Sequence, residues 1–457
     1  MISTGPYTKT DLTDFSWFSQ ANEGVLSREG ARFGLELAQF SYDFRAAPWL
    51  KAGWTDIVLQ VDQHLLGGMR LGLDERDWQQ QALNALVPRM ARGLSIITNP
   101  FNDLRGTLRA ELASETGKAA TMILPQPDGR FIIAIGFMGT GGRPQDWANN
   151  MRFSHPDHFH QGFSTIAAQF EQNTSLISFP SAARAMGMER LTLRDALETC
   201  KKEDSPFRLV VAGHSQGAAV MQIWMYNQIK AGLLPRYVAG FGFASPKVAV
   251  GISREDLNLP ISNFLAEDDI FTRLGLRQHL GKCYLLRADE DMRAHCYGVM
   301  MQDRLFLQIL DIYNKQLNID DSLILCLGYL EALSQRPFRV ISSALSTFFE
   351  TRLAELPAIA ENWIKRMISL TIRGFRQYYQ DAAGMEPGED EVVAAKTQMD
   401  ALMAEYGAVT LTRMIVKTLR LTHSLVHTEP GRSDFAPYSY MAIRAFERLE
   451  PVETSRD

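Results

Sequence analysis

The residues best placed to do chemistry fall within five positions, Gly213-His214-Ser215-Gln216-Gly217. A serine hydroxyl is a weak nucleophile until a neighbouring base takes its proton. The G-x-S-x-G spacing is how a sharp strand-to-helix turn lifts such a serine clear of a sheet. The flanking residues supply that context. Phe207 to Ala212 is a short apolar, β-branched run that predicts a buried strand, and from Gln216 onward apolar residues recur at helical spacing. Glycines on both sides keep the turn free of clashes. The Gln216 N–H, at the helix start, points where an oxyanion would form, so Ser215 is the candidate nucleophile and Gln216 a candidate oxyanion donor.

A serine of this kind needs a base, and the base needs a carboxylate to fix its tautomer and offset its developing charge. In α/β-hydrolases they follow in the order Ser, Asp or Glu, His. The predicted strand Ile261 to Leu265 runs into Ala266-Glu267-Asp268-Asp269-Ile270, which sets three carboxylates at a strand end. The predicted strand Lys282 to Leu286 runs into a polar loop that reaches His295, the candidate base. His279 precedes that strand, at its wrong end, where a structural hydrogen bond is expected. His423 and His427, at the end of a C-terminal helix, are alternatives for the base.

These groups must be held by a sheet. From about residue 118 strands and helices alternate: strands over Ala119 to Leu124, Phe131 to Phe137, Thr174 to Ser178 and Tyr237 to Phe243, helices over Gly162 to Gln172 and Leu193 to Lys202. Such alternation implies an α/β fold, a mainly parallel sheet flanked by helices, with functional groups at the strands' C-terminal ends. Residues 1–110 read as helical covering structure, including helices at Ser27 to Ala38 and Glu75 to Ala91. After about residue 300 the pattern is helical throughout, punctuated by Pro337, Pro357 and Met385-Glu386-Pro387-Gly388. The expected organisation is one α/β domain over 1–300 and an all-helical C-terminal region over 301–457.

Composition narrows the class. The 457 residues are 46% apolar and 22% charged, ordinary for a globular protein, and the net charge of −5 argues against a nucleic-acid partner. No stretch of 18 apolar residues predicts a transmembrane span. The N-terminus lacks the basic start and apolar core of a secretory leader, so a cytoplasmic location is expected; signal-independent secretion leaves no mark in a sequence. Cys200, Cys283, Cys296 and Cys326 show no paired spacing, so neither a disulfide framework nor a zinc ribbon is expected.

Five segments in this order resemble the class 3 (fungal-type) lipase family of α/β-hydrolases. Phe137-Met138-Gly139-Thr140, with Trp147 beyond, resembles that family's F-R-G-T…W oxyanion segment. His160-Gln161-Gly162-Phe163 resembles H-x-G-F, Gly213 to Gly217 matches G-H-S-x-G, Phe243 to Val248 resembles F-G-S-P-R-V, and Asp269 to Leu274 resembles D-x-V-P-R-L. Met138 stands where arginine is usual and Ala244 where glycine is. The resemblance covers roughly residues 30–300. It implies the α/β-hydrolase fold, Asp269 as the orienting carboxylate rather than Asp268 or Glu267, and Thr140 as an oxyanion donor through its N–H and hydroxyl. It also implies that His160 belongs to a polar loop near the mouth and not to a zinc site with His155, Asp157 and His158. The family's lid lies in this region, and Asn149 to Phe159 is short for one.

The activity so implied is hydrolysis of carboxylic esters, acylglycerols or phospholipids foremost, through Ser215, Asp269 and His295, with no cofactor and no metal. Thioesters or polyesters are open to the same triad. A binding or scaffold protein on an inactive hydrolase fold is the alternative of another kind. In the tail, Trp363, Ile364, Lys365, Arg366, Met367, Phe375 and Arg376 mix apolar and basic groups. Peripheral contact with a lipid surface is open to such a helix, though a core-packed helix with a solvated face is the plainer expectation.

Overall fold

The computed structural model describes residues 10–22, 25–43, 46–61, 64–66, 119–140, 150, 157–315, 319–349, 353–355, 359–383, 388–426 and 435–452. The helix expected at Glu75 to Ala91, and Trp147, His155 and His427, lie outside them.

Among the described residues nine strands form one sheet in the order β2-β1-β3-β4-β5-β6-β7-β8-β9. They are β1 (Thr55–Val61), β2 (His64–Leu66), β3 (Ala119–Pro125), β4 (Phe131–Phe137), β5 (Phe207–His214), β6 (Val238–Phe243), β7 (Ile261–Ala266), β8 (Lys282–Leu286) and β9 (Glu450–Val452). Strands β4 to β8 are parallel, and the outer pairs on either side are antiparallel.

The central strands read as unbroken apolar runs because both faces are covered. In β5, Val210 and Ala212 enter one core while Leu209 and Val211 enter the other, the two-residue alternation of a strand. Burying each such valine or leucine contributes about 1.5–3 kcal/mol. On the first face lies α1 (Arg28–Asp43), whose Ala31, Phe33, Leu35 and Leu37 are buried. It crosses so close to the sheet that a Cβ on Gly34 would sit 2.5 Å from that of Phe241. On the second face lie α2 (Gln161–Asn173) and α3 (Gln216–Lys230), packed around Trp224 and Phe170. The expected strand at Thr174 to Ser178 is only a single bridge, Ser178 to Thr192.

Beyond β8 come α4 (Glu290–Tyr297), α5 (Arg304–Lys315), α6 (Ile319–Ser334), α7 (Phe338–Phe349), α8 (Ile359–Ala383), α9 (Glu389–Tyr406), α10 (Ala408–His423) and α11 (Pro437–Ile443). The helical tail is therefore observed, with two departures from the expected organisation. Its core includes Ile270, the residue after Asp269, so the bundle is rooted in the loop that follows β7. The chain then returns to the sheet: α11 packs on α1 and β7, and β9 pairs with β8. The N-terminal region departs too, since β1 and β2 are strands. The apolar run Ile57-Val58-Leu59 in β1 is too short to separate a strand from a helix segment by periodicity.

Candidate active site

The elbow takes the geometry that its spacing predicts. Ser215 stands between β5 and α3 at φ 57° and ψ −128°, a strained conformation for a residue with a side chain. The turn is closed from both sides. A Cβ on Gly217 would lie 2.2 Å from the Phe137 carbonyl oxygen, and one on Gly213 would lie 2.5 Å from Gly217 itself. Only glycine permits these approaches, and they bring the end of β4 against the start of α3. Ser215 N–H donates to the Phe243 carbonyl at 2.9 Å, which anchors the turn to β6. Ala244, next along, takes φ 55°, a region in which the glycine usual in the lipase family is at ease.

Beyond β4, Gly139 comes so near that an added Cβ would be 3.1 Å from that of Ser215. Thr140 follows, and one residue ties it to the helix start. Asn150 donates through Nδ2 to Thr140 Oγ1 at 2.9 Å, and its Oδ1 accepts from Gln216 Nε2 at 2.8 Å. With Oγ1 accepting from Asn150, the threonine's own proton is left to donate elsewhere. The first N–H groups of α3, Gln216 included, have no intrahelical acceptor and sit at the positive end of the helix dipole. His160 holds Asn150 in turn, donating from Nε2 to its carbonyl at 3.1 Å and stacking on Phe163. Burial pushes the His160 pKa down to about 3, so it is a neutral donor. His158 turns its Nδ1 to the Val250 carbonyl. Among the described residues no cluster of histidine, cysteine and carboxylate side chains could hold a metal.

The three acidic residues after β7 divide three ways. Glu267 is bonded to Arg287 and to the Ala288 N–H. Asp268 is buried against Arg293, whose fork meets both its oxygens at 2.8 and 3.0 Å, and also accepts from Asn314. Asp269 is wholly buried; its Oδ1 accepts from the Phe271 N–H at 3.0 Å. Its Oδ2 receives the Tyr438 hydroxyl at 2.5 Å and Nδ1 of His423 at 2.8 Å.

His423, not His295, is the histidine that meets Asp269. His295 lies in the second turn of α4 with its side chain 49% exposed, beside Asp291 and the Tyr440 ring. The physical reason is the helix itself. Asp289 caps it and Glu290 and Asp291 fill its first turn, so the segment read as a loop is a helix whose polar face carries His295 into solvent. His279 is buried at the wrong end of β8, and the structural hydrogen bond expected of it is not seen: neither ring nitrogen has a partner among the described residues.

The His423 ring closes the last turn of α10 and is wedged between Phe271 and His214, with ring centroids at 4.4 and 4.8 Å. Nδ1 facing a carboxylate must carry the hydrogen, which leaves Nε2 as the basic nitrogen.

His214 connects the two halves. Its Nε2 lies 2.6 Å from the His423 carbonyl and so donates to it; its Nδ1 then accepts the Tyr42 O–H at 2.8 Å, and Tyr42 accepts the Gly139 N–H at 3.0 Å. Burial holds the His214 pKa well below the ordinary value, so the ring stays neutral and the chain of bonds has one direction. Tyr42, Asn150 and Tyr438 join the candidate site without any motif to mark them, and His423 takes the place expected of His295. None belongs to a recognisable spacing. Each is placed by tertiary packing.

No protein-family model matches this chain, and no curated protein does. Among solved structures, a native Rhizomucor miehei lipase propeptide complex matches at 16% identity and a TM-score of 0.27, over 38% of this chain. This chain covers 54% of that one, about half its length. A lipase from Rhizopus microsporus var. chinensis matches at 16% identity and a TM-score of 0.28, over 48% of this chain and 77% of its own. Lipase II from Rhizopus niveus matches at 15% identity and 0.26, over 47% and 83%. Overlaps this slight carry no argument about activity.

Proposed function

We propose that the chain is a serine hydrolase of carboxylic esters, lipid esters foremost, with Ser215 as nucleophile, His423 as base and Asp269 as its orienting carboxylate. The observation that carries this reading is the 2.8 Å bond from His423 Nδ1 to the buried Asp269, with the His423 ring packed on His214, the residue before a serine held in elbow geometry. In support, Ser215 follows β5 and Asp269 follows β7, both at C-terminal strand ends where such sheets keep their chemistry, and α10 carries His423 onto Asp269.

His423 Nε2 takes the Ser215 proton as Oγ attacks the ester carbonyl. The oxyanion that forms is held by the Gln216 N–H and by the N–H and hydroxyl of Thr140. Collapse expels the alcohol, which receives the proton from His423, and leaves an acyl group on Ser215. Water, deprotonated by His423, then releases the acid. Thioesters and polyesters would pass through the same steps, and the shape of the pocket decides between them.

The test compares the full chain with Ser215→Ala on p-nitrophenyl esters of increasing acyl length, with labelling by a fluorophosphonate. The proposal expects hydrolysis and labelling by the parent, a loss of at least about 10⁴-fold in the variant, and a preferred length that sizes the pocket. A folded parent that neither hydrolyses nor labels would leave the fold as a binding scaffold.

A further inference from the structure

Helix α8 spans 25 residues, about 37 Å, and has two unlike faces. Ile364, Ile368 and Tyr379 are buried in the tail's cores, with Ile372 and Phe375 packed beside them. Successive helical residues turn by about 100°, so Arg366, Leu370, Arg373 and Gln377 fall on one stripe opposite that apolar seam, with Met367 and Gly374 along its edge. All six are exposed. Met367 and Leu370 keep 42% and 45% of their surface in solvent, and a Cβ on Gly374 would meet nothing within 4 Å. Among the described residues no other element is seen to cover Arg366, Met367, Leu370 and Arg373.

Its charge has one sign. Between Glu361 and Asp381 the helix carries Lys365, Arg366, Arg373 and Arg376 and no carboxylate. The two at the flanks are neutralised: Lys365 pairs with Glu361, and Arg376 with Glu331 and Glu389. Arg366 and Arg373, on the stripe itself, have no ion pair among the described residues. A solvated helix face ordinarily mixes both signs and leaves large apolar side chains out. Here unpaired guanidinium groups flank exposed Met367 and Leu370, on a chain whose net charge is −5. That combination suits a helix lying in the plane of a lipid interface, apolar groups among the acyl chains and arginines on the headgroup phosphates. Among the described residues no helix is long and apolar enough to cross a membrane, so the contact would be peripheral.

We propose that this outer face of α8 seats the protein on the surface of an anionic lipid bilayer. Taken with the ester-hydrolase reading, on which this further step rests, it makes the substrate of Ser215 an ester carried in that surface.

The experiment uses the full chain with Ser215→Ala, so that vesicles stay intact, and measures co-sedimentation with phosphatidylcholine vesicles with and without phosphatidylserine. The expected result is binding to the mixed vesicles only. It should fall about tenfold or more in Arg366→Glu/Arg373→Glu and in Met367→Ser/Leu370→Ser, and hold in Lys202→Glu, a charge reversal of an exposed lysine outside α8. Hydrolysis of a short soluble ester by the same α8 variants with Ser215 intact should be unchanged, which shows that they fold. Equal binding to both vesicle types, no binding, or binding insensitive to the α8 changes would overturn the proposal. So would self-association that the Met367→Ser/Leu370→Ser change abolishes, since a second copy would then be the occupant. Binding without hydrolysis by the parent would fail the catalytic reading alone, and hydrolysis without binding the docking reading alone.

Discussion

The two halves of the candidate site are built in opposite ways. The nucleophile half is local: strand, turn and helix start lie within residues 207–230, and backbone contacts at Gly213 and Gly217 hold the turn. The base half is assembled from a distance. Asp269 meets His423 across 154 positions and Tyr438 across 169, and both partners come from the helical tail. The local half is thus fixed by conformational necessity, whereas the distant half depends on how α10 and α11 dock. Changes in the tail should be able to silence the base without disturbing the serine. A hydrogen-bonded chain through Tyr42 and His214 is the strut between them.

The sharpest way to break this division is to compare neighbouring aspartates. Asp269→Asn should lower kcat/KM about 10⁴-fold, because the wrong tautomer of His423 would face the serine. Asp268→Asn should instead cost about 3 kcal/mol of stability, by leaving Arg293 without its buried partner, with kcat of the folded fraction unchanged. Equal losses in kcat would erase the distinction between a catalytic and a structural carboxylate, and thermal melts beside steady-state rates decide it.

Beside the nucleophile half, Asn150→Ala frees both Thr140 and Gln216. A direct oxyanion donor is worth about 10²–10³ in kcat, so a residue acting through two of them should cost about 10–10² with KM little changed. Asn150→Asp, which keeps the acceptor for Gln216 but not the donor to Thr140, should fall between. A rise in KM alone would make Asn150 a substrate contact.

The smallest effect is expected at the strut. Tyr42→Phe removes one hydrogen bond to a neutral histidine and one from the Gly139 N–H, worth about 1 kcal/mol in the transition state, or about fivefold in kcat. A loss rivalling that of Asp269→Asn would mean that the halves are not separable.

This contrast also explains what the sequence made legible. The parallel sheet could be read because β4 to β8 are buried on both faces, so their apolar runs are continuous and short. The elbow could be read because both its glycines fall within five residues of one another, although only Gly213 is demanded by a contact inside the turn and Gly217 answers to the Phe137 carbonyl of β4. His423 could not, since the order Ser, Asp, His admits any histidine after Asp269. His295 fits that order because it follows the strand Lys282–Leu286. The cue against it lay in Asp289-Glu290-Asp291, a helix start that sets His295 on a polar face. Strand β9 is illegible because three residues carry no period, and Asn150 because a lone asparagine in a polar stretch has no pattern at all.

The central claim is that the tail supplies the base, and it is tested most directly by His423→Ala and His295→Ala side by side, on one short soluble p-nitrophenyl ester. The account predicts that His423→Ala loses at least about 10⁴-fold in kcat/KM while His295→Ala, an exposed change, stays within about twofold of the parent. An active His423→Ala beside an inactive, folded His295→Ala would contradict it.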